Sequence, residues 1–137
     1  MVEVHITYQG DLRCTAVHGP SGNSLTTDAP LDNQGRGEAF SPTDLVATAL
    51  GSCMATVIGI LARRRGINVE GMTVAVRKIM SEDTPRRIRR LELDIDIPLP
   101  ADHPDTPLIE AAARGCPVHH SLHPEIELGL NWRWSGH

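Results

Sequence analysis

The residues of this chain that could carry covalent chemistry are its three cysteines, Cys14, Cys53 and Cys116. A cysteine thiolate is a nucleophile and a metal ligand, and the pKa of the thiol controls its reactivity. Cys116 stands between Gly115 and Pro117, where a helix is expected to begin, and a helix N-terminus lowers the pKa of a thiol. Alternatively, Cys116 only caps that helix, and Cys53 only fills space inside an apolar helix. Cys53 and Cys116 are 63 residues apart, so no local motif links them.

A metal site is a second candidate, because His119, His120 and His123 follow Cys116 closely. Histidines four residues apart can share a helix face and bind zinc. Against this reading, His119 and His120 are adjacent, Pro124 interrupts the helix, and no fourfold Cys/His spacing is present. We therefore expect no bound metal.

Cys53 lies within residues 41–66, whose pattern predicts one long helix. Ser41 is a suitable N-cap, and Asp44, three residues later, completes a pattern that resembles a capping box. Gly66 suits the left-handed position at which helices end. The sequence therefore predicts that Cys53 sits in the middle of a long, well-delimited helix.

This helix has no charged residue between Leu45 and Ala62, and we expect its hydroxyl residues and glycines not to form one wet face. A helix that is apolar all round is buried all round. Residues 45–62 are just long enough for a membrane span, but the flanking segments have the pattern of a soluble sheet, so we expect no membrane span. So small a chain cannot cover so long a helix alone. We therefore expect a second copy to cover it in an obligate homodimer.

The remaining segments predict an α+β fold in a single domain spanning residues 1–137. Short strands joined by turns favour antiparallel sheets around the long buried helix, with helices on one side, over a parallel βαβαβ arrangement. Strands are expected at residues 2–8, 12–16, 24–28, 72–80, 88–97 and 125–134, and short helices at residues 106–114 and from 117 onwards.

Composition argues against a nucleic-acid partner. The net charge is −4, basic runs are short, and aromatic residues make up 3% of the chain, whereas nucleic-acid binding requires a basic surface and often stacking rings. The chain begins with an alternating strand pattern rather than a signal peptide, and its odd cysteine count has no disulfide framework. We therefore expect a reduced, cytoplasmic protein.

Residues 41–53 (SPTDLVATALGSC) and residues 111–122 (AAARGCPVHHSL) together resemble the OsmC/Ohr family, the osmotically inducible and organic hydroperoxide resistance proteins. The second stretch is the more characteristic, because Cys-Pro-Val-His follows a helix of small residues. The order of elements fits the family from residue 2 to residue 134. The resemblance implies an OsmC-like fold in which the long helices are buried at the centre of an intertwined homodimer.

The resemblance also implies an activity, the thiol-dependent reduction of organic hydroperoxides to alcohols. It implies that Cys53 is the peroxidatic residue, whose thiolate attacks the peroxide and becomes a sulfenic acid, and that Cys116 resolves this acid as a disulfide. A dithiol, in the family typically a lipoyl group on a carrier protein, then reduces the disulfide. No metal, haem, flavin or other cofactor is implied, and we expect Cys14 to take no part.

A thiolate in an apolar site requires a nearby cation. In the family this is an arginine from the N-terminal region, held by a carboxylate at the start of the central helix. Arg36, which lies between two glycines, is our first candidate, and Arg13 is the alternative. Family peroxidases carry glutamate directly after the helix-opening proline, where this chain has Thr43, so we expect the carboxylate to be Asp44 or Glu38.

The Thr43 difference keeps a second function open, because fold does not determine function. This alternative is an OsmC-like protein with weak or no peroxidase activity that binds a small apolar ligand or responds to thiol stress. For the peroxidase reading, the apolar helix favours an organic hydroperoxide over hydrogen peroxide, since each buried CH₂ contributes about 0.8 kcal/mol.

Overall fold

The chain forms two units, residues Met1–Val46 and Ala47–His137, each with its own three-stranded sheet. A computed structural model describes all residues from 1 to 137. The helices are α1 (Pro42–Arg65), α2 (Thr106–Arg114) and α3 (Pro117–Ser121), and the strands are β1 (Val4–Gly10), β2 (Arg13–His18), β3 (Ser24–Asp28), β4 (Thr73–Met80), β5 (Ile88–Ile97) and β6 (Glu127–Trp134). The single domain expected over residues 1–137 stays a prediction.

The first unit is an antiparallel sheet with the strand order β1-β2-β3. The β1–β2 turn places Asp11 and Leu12 at positive φ values of 53° and 62°. Two-residue hairpin turns of this kind require positive φ at both residues, because their twist then matches that of the strands. The sequence pattern predicts that β1 is half-buried, and this is wrong for the single chain. Val4, Ile6 and Tyr8 are 49%, 65% and 63% exposed, because the first unit is a single three-stranded sheet with no second layer to cover this face.

The second unit contains the mixed sheet β4-β5-β6. Strands β4 and β5 are antiparallel, but β5 and β6 are parallel, so the expectation of purely antiparallel sheets is wrong here. The reason lies in the connection: α2 and α3 come between β5 and β6, and a parallel pair requires such a crossover. The alternation of apolar and polar residues along a strand is the same whether the strand pairs parallel or antiparallel, so the sequence pattern could not distinguish the two.

The core of the second unit lies between α1, the second sheet and α2. One face of α1, including Leu50, Met54 and Ile58, is buried together with apolar residues of β5 and with Ile109 of α2. Gly51 allows the close approach of α1 to β4, because a Cβ there would lie 2.8 Å from Cγ2 of Val76. This glycine therefore sets how closely the helix packs against the sheet.

The opposite face of α1 departs from the prediction. Thr48, Ser52 and Thr56 lie on one exposed stripe at a spacing of four residues, so the hydroxyl residues do line up. The Ser52 hydroxyl donates to the Thr48 carbonyl at 2.7 Å and the Thr56 hydroxyl to the Ser52 carbonyl at 2.8 Å. In the single chain the helix is thus half-buried rather than buried all round. By length and composition alone, α1 is also long and apolar enough to cross a membrane. Core helices of soluble proteins meet the same two criteria.

The ends of α1 confirm the predicted start and stop signals. The Ser41 backbone N–H donates to Oδ2 of Asp44 at 2.9 Å, and the Asp44 N–H donates to the Ser41 hydroxyl at 3.1 Å. This reciprocal pair is a capping box, which satisfies N–H groups that have no partner within the helix. Gly66 takes the left-handed conformation at φ 68°, as the end of a helix favours.

Candidate active site

The second unit brings Cys53 and Cys116 together, although 63 residues separate them in sequence. Cys53 projects from the middle of α1 and is half-buried, whereas Cys116 precedes α3 and is fully buried. The two thiols lie close enough for the Cys53 side chain to raise the pKa of Cys116, and both are free. Two thiols in this arrangement can form a disulfide after one of them is oxidised.

Local sequence explains the position of Cys116. Gly115 ends α2 by donating its N–H to the Ala111 and Ala112 carbonyls. Pro117 then occupies the first turn of α3, where its missing N–H costs nothing. The Cys116 sulfur accepts a hydrogen bond from the His119 N–H at 3.3 Å and so caps this short helix.

The pKa of Cys116 shifts in the direction opposite to the one expected from sequence. A place at a helix N-terminus predicts a lowered pKa, whereas the structure raises it. Burial raises the pKa of the Cys116 thiol, and the His119 N–H opposes this only in part; the neighbouring Cys53 thiol raises the pKa further. Burial dominates because a thiolate is poorly solvated in apolar surroundings. Cys116 is therefore a neutral thiol at pH 7, which is unsuited to be the first nucleophile.

Cys53 opens onto an apolar groove of about 440 Å³ between α1 and α3. The groove is lined by Ala49, Ser52, Cys53, Thr56, Val57, Ile60, Pro117 and Val118. No charged side chain belongs to this lining, and the hydroxyls of Ser52 and Thr56 are engaged with backbone carbonyls. The groove can therefore accept an apolar group beside the Cys53 thiol but supplies no charge to stabilise a thiolate.

In the first unit, a charged cluster surrounds Arg13. Nη1 of Arg13 lies 3.5 Å from Oε2 of Glu38 and 3.8 Å from Oδ2 of Asp28. Asp28 is buried, with 1% of its side chain exposed, whereas Glu38 is 55% exposed. The structure thus pairs one of the two candidate arginines, Arg13, with one of the two candidate carboxylates, Glu38.

The other two candidates are placed differently. Arg36 is exposed and makes no ion pair. Asp44 belongs to the capping box with Ser41, so its carboxylate is engaged at the start of α1. Whether Arg36 or Asp44 supports a thiolate stays a prediction.

Sequence reasoning missed Asp28. Its only sequence signal is that it ends a predicted strand, and its importance comes from the strand register, which places Asp28 opposite Arg13 on β2. Register depends on turn geometry and on which face is buried, so this pairing was not readable from spacing.

The histidines after Cys116 do not form a ligand set. No three His, Cys, Asp or Glu side chains anywhere in the chain converge in a metal-binding arrangement. His119 and His123 instead line a small cavity with Leu122, Pro124 and neighbouring apolar residues. The metal reading from sequence therefore has no support in this geometry.

The family model for OsmC-like protein matches residues 35–131, which include α1, both cysteines of the pair and most of β6. This chain belongs to the OsmC-like protein family. The resemblance seen in the sequence is thereby confirmed.

Solved structures agree with this membership. The OsmC-like protein shares 46% identity with a protein from Psychrobacter arcticus 273-4 that is provisionally assigned to osmotic stress induction and the detoxification response, at a TM-score of 0.90 with 96% of each chain covered. An organic hydroperoxide resistance protein OsmC from Legionella pneumophila has 15% identity and a TM-score of 0.78, covering 97% of this chain and 96% of that one. An organic hydroperoxide resistance protein from Elizabethkingia anophelis has 18% identity and a TM-score of 0.78, with 98% and 96% covered. The last two show the fold alone. No curated protein matches the chain significantly.

Proposed function

We propose that this OsmC-like protein is a thiol-dependent peroxidase that reduces organic hydroperoxides to alcohols. The observation that carries the proposal is the pairing of Cys53 and Cys116 beside an apolar groove. Cys53 is the accessible member and Cys116 the buried one, which matches the roles of a first nucleophile and a resolving thiol. Relatives named for hydroperoxide resistance share the fold.

The reaction has three steps. The Cys53 thiolate attacks one peroxide oxygen of ROOH, the O–O bond breaks, and the alkoxide leaves and takes a proton to give ROH, with a sulfenic acid on Cys53. The Cys116 sulfur then attacks the sulfenic sulfur, which forms a disulfide and releases water. An external dithiol, such as a lipoyl group on a carrier protein, reduces this disulfide by exchange and is itself oxidised to a disulfide.

The groove selects the substrate class in this proposal. Its apolar lining rewards an alkyl or aryl group by about 0.8 kcal/mol per buried CH₂, which hydrogen peroxide cannot supply. A thiolate in apolar surroundings needs a nearby cation. The groove lining contains no charged residue, so the cation must come from elsewhere. We assign this role to an N-terminal arginine, Arg36 or Arg13, with Glu38 or Asp44 as its carboxylate partner.

The proposal includes an intertwined homodimer in the cytoplasm. Apolar residues of β1 and the outer face of α1, including Ile60 at 48% exposure, lie uncovered in the single chain, and a second copy would bury them. A reducing compartment would keep all three thiols free between turnovers. We propose no nucleic-acid partner, no membrane span and no bound cofactor.

A thiol count with disulfide mapping tests this function most directly. The reduced protein is treated with one equivalent of cumene hydroperoxide, and free thiols are counted before and after. The expected result is a rapid loss of two thiols, a Cys53–Cys116 disulfide and a free Cys14. Three thiols unchanged over minutes would contradict the proposal.

A second candidate function has one observation in its favour. Thr43 stands where the family peroxidases carry glutamate, and the carboxylate of Asp44 is engaged in the helix cap. A chain without a suitably placed carboxylate would leave Cys53 weakly activated. The unchanged thiol count would then favour a protein that binds a small apolar ligand or responds to thiol stress.

A further inference from the structure

An ion pair between Arg65 and Asp105 connects the ends of two helices in the second unit. Arg65 is the last residue of α1, and Asp105 is the residue directly before α2. Nε of Arg65 donates to Oδ2 of Asp105 at 2.9 Å, although 40 positions separate the two residues in sequence. The peroxidase proposal makes no use of this contact, so its role is open.

Asp105 does not play the part that an aspartate in its position usually plays. An aspartate directly before a helix normally accepts a hydrogen bond from a backbone N–H of the first turn, but the Asp105 side chain makes no such bond. Its carboxylate faces Arg65 instead and is only 14% exposed. The hydrogen bond from Arg65 lowers the pKa of Asp105, so this carboxylate is charged at pH 7.

A second contact joins the same two segments at their other end. Cys53 lies twelve residues before Arg65 on α1, and Cys116 lies eleven residues after Asp105, just beyond α2. The Cys53 side chain acts on the pKa of Cys116, so the two thiols are neighbours. The two segments therefore run antiparallel, with the ion pair at one end and the thiol pair at the other.

Between these two contacts the segments share one apolar core. Met54 and Ile58 of α1 are buried in the same cluster as Ile109 and Ala113 of α2. The attraction between apolar groups is non-directional, whereas a charge-assisted hydrogen bond has a defined distance and geometry. The ion pair therefore adds a directional constraint to a contact that is otherwise apolar.

We infer that Arg65 and Asp105 are positioning residues that fix α2 along α1 and thereby hold Cys116 next to Cys53. The inference rests on the proposed function in one respect, namely that the two thiols alternate with a disulfide. Neither residue touches a sulfur atom or the substrate in this scheme. Because a disulfide forms only within a narrow range of geometries, a less constrained α2 lowers the effective concentration of one thiol at the other.

Equilibration with dithiothreitol measures this effective concentration. The two protein thiols are oxidised to a disulfide while oxidised dithiothreitol is reduced to its dithiol, so two electrons and two protons pass between them. The protein is incubated at graded ratios of the two forms of dithiothreitol. Alkylation of the remaining thiols and peptide mass spectrometry then give the fraction of Cys53–Cys116 disulfide at each ratio.

Arg65→Gln and Asp105→Asn should each lower the effective concentration about threefold, because a partly exposed ion pair makes a modest contribution. The double variant should lose no more than either single variant, since each change removes the same contact. A wild-type equilibrium in both single variants would overturn the inference. Losses that add in the double variant would also overturn it.

Arg77→Gln is the matched control. Arg77 pairs with Asp94 at 2.6 Å and is 48% exposed, close to the 46% of Arg65. It follows Val76, which lies against Gly51 of α1, so Arg77 is on the opposite face of the sheet. We expect a wild-type thiol equilibrium in this variant. A loss equal to that in Arg65→Gln would mean that a general loss of stability is being measured and would overturn the positioning role.

Arg65→Lys tests whether the charge is the cause. Lysine keeps the positive charge at the end of α1 but lacks the planar donor fork of arginine, so we expect a smaller loss than in Arg65→Gln. A larger loss in Arg65→Lys would overturn the ion pair as the cause. If Asp105→Asn fails to fold, the Arg65 variants change the pair from its more exposed side. A wild-type equilibrium in Arg65→Gln would then overturn the inference.

This experiment uses no peroxide, so the inference and the proposed function can fail separately. Variants that show the expected losses, in a protein that leaves cumene hydroperoxide intact, would support the role of the ion pair and contradict the peroxidase proposal. A protein that consumes the peroxide but has the same thiol equilibrium in wild type and Arg65→Gln would do the reverse. A protein that forms no Cys53–Cys116 disulfide at any ratio would contradict both.

Discussion

Around Cys53 the second unit presents apolar side chains and engaged hydroxyls without a charge, whereas around Arg13 the first unit gathers two carboxylates, one of them buried. The thiol region is suited to hold an apolar group, and burial raises the pKa of the neighbouring Cys116. The arginine region is suited to hold a charge in a defined orientation. The candidate nucleophile and the charged cluster therefore lie on separate parts of the chain.

This difference teaches that the lining of the groove alone does not activate Cys53. An apolar site disfavours the thiolate, and only a nearby cation or hydrogen-bond donors offset that effect. In the proposed peroxidase the activating charge must come from outside the groove lining. Four predictions test this division, beginning with the largest expected effect.

Cys53→Ser should reduce peroxide consumption to the uncatalysed background. A serine hydroxyl is a far weaker nucleophile than a thiolate, and it cannot be oxidised to a sulfenic acid. Loss of cumene hydroperoxide in the presence of excess dithiol measures this effect. Cys14→Ser is the matched control and should retain the wild-type rate. Full turnover in Cys53→Ser would assign the chemistry to another residue.

Cys116→Ser should consume one equivalent of peroxide at a near-normal rate and then stop recycling through the intramolecular disulfide. The sulfenic acid on Cys53 has no resolving thiol in this variant, so a sulfenic acid reagent such as dimedone should label it. Mass spectrometry of the labelled peptide gives the position. Sustained turnover at the wild-type rate would exclude Cys116 as the resolving residue.

In the proposed peroxidase, Arg13→Ala should slow the first turnover by about tenfold, because a thiolate in an apolar site requires a supporting cation and Arg13 is one of the two candidates. The rate of the first turnover, followed by stopped flow at several pH values, measures this loss. Arg36→Ala is the matched comparison and should have the smaller effect. A larger effect of Arg36→Ala would reverse the assignment of the cation.

The smallest effect on stability is expected on the second sheet, where Nη1 of Arg77 forms an ion pair with Oδ2 of Asp94 at 2.6 Å. Arg77 holds the pKa of Asp94 down to about 2, with help from Asn131. The stabilisation is therefore present above pH 4 and is lost as the pH falls towards 2. Because both side chains are about half exposed, Asp94→Asn should change the melting temperature by less than about 2 °C at pH 7.

Melting curves of wild type and Asp94→Asn at pH 7 and pH 2 check this expectation. The two proteins should converge at the lower pH. A loss at pH 7 larger than that of Asp28→Asn would break the comparison, because it would make the exposed pair more important to stability than the buried carboxylate.

Much of the local structure was predictable. The start and stop signals placed α1 and α2 correctly, and the alternation in residues 88–97 gave β5 with the observed bounds. These elements depend on neighbouring residues, through caps and on a period of 2 or 3.6. The parallel β5–β6 pair and the half-exposed α1 were not predicted, because both depend on how distant segments pack.

The sequence by itself determined the family, the long capped helix that carries Cys53, and the small-residue segment that presents Cys116. Those features depend on residues that are close to one another along the chain. Only the tertiary structure decided that the two thiols meet, that burial raises the pKa of Cys116, and that Asp28 lies opposite Arg13. Contact, burial and strand register arise from packing between distant segments, and residue spacing carries no direct record of them.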